Sequence, residues 1–274
     1  MNRGRSLLVA LTLAVMLGAS AAQAADKRAL ATEVMKVSGL TEQLGQTTRS
    51  INDSLKRAEE SGKATPEQRE IGAVMLEAFG TDTILASVGK NLADQLSDSD
   101  LQTVLKWYQG EPGQKLIRLE NQLADPETAK GLVEFAKQAE QTPLPEDKQA
   151  LYKQIDKATL TTDTTVDMQL NSRVAMVKAM NKTAKSEKKL TDAEIQEKVE
   201  AQRPQAMIFM QQINLIKFAY LYKDVPDEDI KAYLKFAESD VGKKYFKARS
   251  KALDKAMQEG SSKVGEAMGS RIKE

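Results

Sequence analysis

Two stretches decide the fold: Leu96–Leu116, LSDSDLQTVLKWYQGEPGQKL, and Val225–Tyr245, VPDEDIKAYLKFAESDVGKKY. They align without a gap. Asp98 and Asp100 meet Asp227 and Asp229, Leu105-Lys106 meets Leu234-Lys235, and Trp107 meets Phe236. Gly113 then meets Gly242, and Lys115 meets Lys244. Each stretch reads as an acidic helix start, an aromatic-bearing helix, a corner at glycine, and a second helix. Carboxylates at the start satisfy free backbone N–H groups and meet the positive end of the helix dipole. Glycine at the corner permits left-handed geometry or a close backbone approach. On this reading the helices bury Leu105 and Trp107 in one stretch, and Leu234 and Phe236 in the other.

Further out, Ala29-Leu30 and Val34 fall against Ala150-Leu151 and Ile155, at a shift eight residues smaller. The second half therefore carries an insertion, placed in the charged stretch Lys182–Asp192. Repetition of one supersecondary unit is the natural reading. Apolar residues recur at three and four along most of the chain, and strand-like alternation is absent, which predicts an all-α fold. Helix starts are signposted at Thr65-Pro66, at Ser97–Asp100 and at Asp125-Pro126. Pro112, between Gly110 and Gly113, marks another. Pro143 and Pro145 lie near the middle of the chain and favour an extended path. The expected organisation is two tandem helical bundles, 25–140 and 148–274, joined by a proline-containing linker at 141–147.

The N-terminus predicts export. Arg3 and Arg5 precede an apolar run, Leu7–Leu17, and small residues end at Ala22-Gln23-Ala24. This is the pattern of a signal peptide, residues 1–24, cleaved after Ala24. The run is too short for the roughly 20 residues a membrane span needs. The chain has no cysteine, so neither a lipoprotein anchor nor a disulfide is available. The periplasm is the expected compartment, with outright secretion as the alternative. Later in the chain Ile208–Tyr222 is the most apolar segment. It is interrupted by Gln211, Gln212, Asn214 and Lys217 and reads as a soluble helix, so no span is expected in the mature chain. Loss of Arg3 and Arg5 takes the 40 Lys and Arg to 38, against 39 Asp and Glu. That balance argues against nucleic acid as a partner.

The repeated pattern resembles the bacterial domain-of-unknown-function family 2059, in two divergent copies. In that family it typically runs threonine or serine, an acidic pair, Phe-Tyr, then Ser-x-x-Gly. The closest stretches here are Ser97–Lys115 and Asp227–Lys244. The first has Trp107 for the usual phenylalanine and Gly110 for the usual serine. The second keeps Phe236 and Ser239 but has Ala237 for the tyrosine. The resemblance implies an exported helical protein and carries no assigned activity and no catalytic residues.

Without histidine or cysteine, the Ser-His-Asp and Cys-His sites, the usual zinc sites and thiol redox chemistry are closed. A carboxylate pair of the glycosidase kind remains conceivable at Asp98, Asp100, Asp227, Glu228 and Asp229, though all five sit at helix starts with capping duties. Met176 with Met180 and Met207 with Met210 have a spacing that could hold Cu(I), but methionine more often fills irregular cores. No cofactor or metal is expected. The second half is the richer in aromatics, and Phe218, Tyr220, Tyr222, Tyr233, Phe236 and Tyr245 form the candidate binding surface. Lys243, Lys244, Lys247, Arg249, Lys251 and Lys255 fall partly on one helical face, expected to face solvent. The functional expectation is a non-enzymatic exported protein that binds another envelope protein or a small ligand. The alternatives are a carrier or sensor of a hydrophobic ligand and, further off, a cell-wall hydrolase.

Overall fold

Local caps set the helix starts. Thr65 Oγ1 accepts from the Gln68 N–H at 3.2 Å, the Gln68 side chain accepts from the Thr65 N–H at 2.8 Å, and Pro66 takes the first helical position. Ser97 and Asp100 make the same reciprocal cap. Asp125 accepts from the Thr128 N–H at 2.9 Å, ahead of Pro126. The structure, a computed structural model, describes residues 25–62, 64–185 and 189–271. The expected signal peptide and the middle of the Lys182–Asp192 stretch lie outside these residues.

Among the described residues the fold is all-α. The first half contains α1 (25–37), α2 (Leu40–Glu60), α3 (Pro66–Ala78), α4 (Thr81–Gln95), α5 (Asp98–Gln109) and α6 (Glu111–Asn121), then a 3₁₀ turn (Gln122–Ala124) and α7 (Pro126–Gln141). The second half contains α8 (Glu146–Thr159), α9 (Thr161–Thr183), α10 (Asp192–Glu200), α11 (Arg203–Leu221), α12 (Asp227–Glu238) and α13 (Asp240–Gly269). The linker is shorter than the sequence suggested. Gln141 ends α7 and Glu146 starts α8, because the two prolines interrupt helix only over 142–145.

One segment, Pro66–Gln95, is apolar enough over an 18-residue window to cross a membrane by composition, with a mean hydropathy of 1.4. It is broken at Phe79-Gly80 into helices of 13 and 15 residues. At 1.5 Å per residue each falls short of the roughly 30 Å of a hydrocarbon core.

The two halves do not fold around separate cores. One cluster joins Val34, Val88, Leu101, Val104 and Leu116 of the first half to Ile155, Tyr222, Ile230, Tyr245 and Phe246 of the second. A smaller cluster, Val166, Leu170, Val174, Ile195 and Val199, sits between α9 and α10, with Met207 and Met210 of α11 packed against it. The long α13 reaches across the molecule, against α9 along most of its length and against α3, α4 and α5. It can approach α9 closely because Gly265 and Gly269 face it. A Cβ at either position would strike the Met176 or Met180 carbonyl oxygen.

The α5–α6 and α12–α13 corners have the same construction. Each first helix has 12 residues. One extended residue follows, Gly110 with φ −73 and ψ 160 or Ser239 with φ −64 and ψ 160, and the next helix begins. Gly113 and Gly242 are needed for close approach and not for left-handed geometry. A Cβ on Gly113 would lie 2.5 Å from the Trp107 carbonyl oxygen, and one on Gly242 would overlap that of Phe236. The buried apolar residues of α5 are Leu101, Val104 and Tyr108, with Leu105 and Trp107 only half-buried. In α12 they are Ile230, Tyr233, Phe236 and Ala237, with Leu234 half-buried. Phe236 is buried as expected, whereas Leu105, Trp107 and Leu234 sit at the edge of the buried face. Upstream, α2 and α9 each follow a residue with positive φ, Gly39 at 74° and Leu160 at 54°. A left-handed leucine costs roughly 1 kcal/mol.

Aligned positions also meet across the molecule. Trp107 and Phe236, each the tenth residue of its helix, stack at 4.8 Å with planes 11° apart. Such stacking is worth about 0.5–1.5 kcal/mol beyond the area it buries. Lys115 donates to Asp229 at 2.6 Å, and Lys244 donates to Asp100 at 3.2 Å. Each lysine thus reaches the acidic helix start of the opposite half.

Candidate functional site

The acidic helix starts are occupied by structural work. Asp100, buried, accepts from the Ser97 hydroxyl at 2.7 Å and from Lys244. These bonds, the serine's first, hold its carboxyl below the usual range. Asp227 pairs with Lys148, which lowers its pKa in the same way. Asp229 is held by Lys115.

The six aromatic residues expected to form a surface are mostly interior. Tyr222 and Tyr245 are fully buried, and Phe218, Tyr233 and Phe236 are nearly so; only Tyr220 is half-exposed. They pack edge-on and stacked with Tyr108, Tyr152 and Phe246. Tyr220 rests on Phe135, with Lys223 over its ring. These residues lie on the helix faces that close onto the first half, so the aromatic excess belongs to the shared core.

Only Phe218 and Tyr233 of the six reach a cleft, and that cleft runs between the halves. It encloses about 810 Å³. α2, α6 and the following 3₁₀ turn form one wall, and α9, α11, α12 and α13 the other. Glu42 and Arg49 of α2 pair at 2.8 Å and are more than half exposed. Deeper in, Leu40, Leu123, Met168, Leu221 and Leu253 supply apolar surface.

Three charged side chains line the interior: Glu120, Lys217 and Arg249. Glu120 accepts from the buried Tyr222 hydroxyl at 2.6 Å. Lys217 sits 5.2 Å from the centre of the Phe218 ring. Burial pulls its ammonium below its ordinary pKa, against the attraction of Glu120 and Asp156. Asp156 stands behind the wall, bound to Thr162 and Asn214, and burial raises its pKa. Arg249 lies 4.8 Å from the Phe246 ring centre and donates to the Thr159 carbonyl at 3.3 Å. Its Nε is buried without a partner, and so is Thr164 Oγ1 of α9, on the same wall.

Sequence reasoning missed this site. Lys243, Lys244, Lys247, Lys251 and Lys255 are exposed as expected of a solvated face, whereas Arg249 turns into the cleft. Its inward surroundings, Thr159 of α8 and Glu120 of α6, are distant in sequence. Lys217 had been read as an interruption of an apolar run. That was a usable sign, since a lone lysine in a buried helix needs something to hold.

Fold and cleft together define an all-α protein with a charged crevice between two interlocked helical halves. Residues 82–137, from α4 to α7, match domain of unknown function 2059, described as an uncharacterized protein conserved in bacteria. The match contains the Ser97–Lys115 stretch and covers a single copy of the pattern. No curated protein and no solved structure matches the chain.

Proposed function

We propose that the chain is an exported, non-enzymatic binding protein of the bacterial periplasm that holds a small ligand in the cleft between its halves. The observation that carries this reading is the cleft interior, where an arginine Nε and a threonine hydroxyl are buried without partners beside a lysine. Buried polar groups are normally satisfied, and exceptions on residues that line a cavity of ligand size support a bound molecule. A non-enzymatic role is supported by the engagement of Asp100, Asp227 and Asp229 with lysines. Native mass spectrometry of protein freshly isolated from the periplasm is expected to show added mass that disappears on denaturation. A clean apo spectrum, repeated at native expression, would count against the proposal.

The same proposal holds that the second half is a divergent copy of the first. It is supported by the matching helix order, by the two corners, by the positive φ before α2 and α9, and by the reciprocal lysine–aspartate pairs. Residue i of one half meeting j of the other, while j meets i, is the contact pattern of an isologous pair. The second half is longer in α9, in the α9–α10 and α11–α12 connections and in α11, which has 19 residues against 15 in α4, and shorter in α10, which has 9 against 13 in α3.

A second reading, docking of another envelope protein, is favoured by an apolar groove between α7 and α11. Val133 and Ile213 line it and are exposed, and Ile208 and Phe209 are exposed nearer the start of α11, Phe209 by 59%. Phe209 and Ile213 are four apart and present one stripe suited to an apolar partner helix.

A further inference from the structure

Resting on the ligand-binding reading above, we infer that the cleft takes an amphipathic organic monocarboxylate. Its head is held by Arg249 and Lys217, and its aliphatic body lies along Leu123, Met168, Phe218 and Leu253. Four observations converge on this chemistry.

The first is charge. Glu42 and Arg49 pair at the mouth, where the exposed Asp53 adds one carboxylate, so the positive charge is confined to the interior. Inside, neither Lys217 nor Arg249 has a carboxylate oxygen within 4.0 Å among the described residues, while the interior carboxylate, Glu120, is engaged by Tyr222. A cation removed from water without a partner is costly, and an anionic ligand removes that cost.

The second is hydrogen bonding. Arg249 donates once from its guanidinium, to the Thr159 carbonyl, and its buried Nε has no partner. A planar guanidinium with donors to spare matches the two oxygens of a carboxylate.

The third is the comparison between the halves. Glu120 is the tenth residue of α6 and Arg249 the tenth of α13; Val104 is the seventh of α5 and Tyr233 the seventh of α12. The positions are equivalent, yet the second half presents a cation and a phenol where the first has an acid and a buried valine. Packing the corner therefore does not require the cationic interior. The fourth is the mixed lining: apolar side chains flank the two cations in a space of about 810 Å³, which suits a charged head with an apolar body.

The test is titration calorimetry of the mature protein with dodecanoate and with dodecanol, its neutral counterpart. Dodecanoate is expected to bind at least tenfold more tightly. Arg249→Met and Lys217→Met are each expected to weaken dodecanoate at least tenfold and to leave dodecanol within twofold. Arg249→Lys, which keeps the charge but loses the fork, should fall between. Circular dichroism melting checks each variant; if Arg249→Met does not fold, Lys217→Met decides. Equal affinity for the acid and the alcohol, unchanged in the folded variants, overturns the anion assignment and leaves a ligand cleft standing. Absence of binding by both probes, together with a clean apo mass spectrum, overturns the ligand-binding reading as well.

Discussion

At the residue scale, the readable features were those whose partners lie close in sequence. Thr65, Ser97 and Asp125 cap their helices through neighbours three residues on, so their roles follow from local pattern alone. Asp100 has a local role and a distant one, bonding Ser97 and also Lys244 of the other half. Its pKa is lowered in the folded protein, so its ionised form adds stability above the unfolded value of about 4, and that gain is lost as pH falls. Asp100→Ala should therefore cost about 1–2 kcal/mol in urea unfolding at pH 7, and clearly less at pH 3. An equal cost at both values would mean that its charge contributes nothing. The inward turn of Arg249 is not legible in sequence because its surroundings come from α5, α6, α8 and α12, and periodicity along α13 carries no information about them.

At the scale of elements, the existence and order of the helices were legible and their mutual faces were not. The apolar period marks a helix as amphipathic, but the small-residue edge of α13 gives almost no hydropathy signal. Ala248, Ala252, Ala256, Gly260, Gly265 and Gly269 are all buried, and at Gly265 the α9 backbone passes where a Cβ would stand. Gly265→Ala should lower stability by about 1–3 kcal/mol, since the obstacle is backbone and cannot rotate away. Gly72→Ala is the control. Its Cβ would meet only Leu55 Cδ2 at an ordinary 3.4 Å, so helix propensity should stabilise that variant by about 0.5–1 kcal/mol. Opposite signs in paired thermal melts support the seam, and similar effects of the two substitutions would contradict it.

At the scale of the whole molecule, the expected division into two bundles gave way to a shared interior. The prolines at 143 and 145 suggested a hinge, yet the aromatics of α11, α12 and α13 close onto α5 and α6 in one main core shared by both halves, beside the smaller α9–α10 cluster. The halves are recognisable in sequence because their corners obey the same local rules. Their interlock was not legible, because it rests on pairs such as Trp107–Phe236 and Lys115–Asp229, more than a hundred residues apart. The cleft follows from the interlock, with walls drawn from both halves, so a ligand there must stabilise the molecule as a unit. Scanning calorimetry of the chain from residue 25 onward, alone and with dodecanoate, tests this most directly. One endotherm is expected, with agreeing calorimetric and van't Hoff enthalpies, moving upward as a whole when the ligand is added. Two endotherms, or a shift confined to one of them, would contradict a single body with its binding site between the halves.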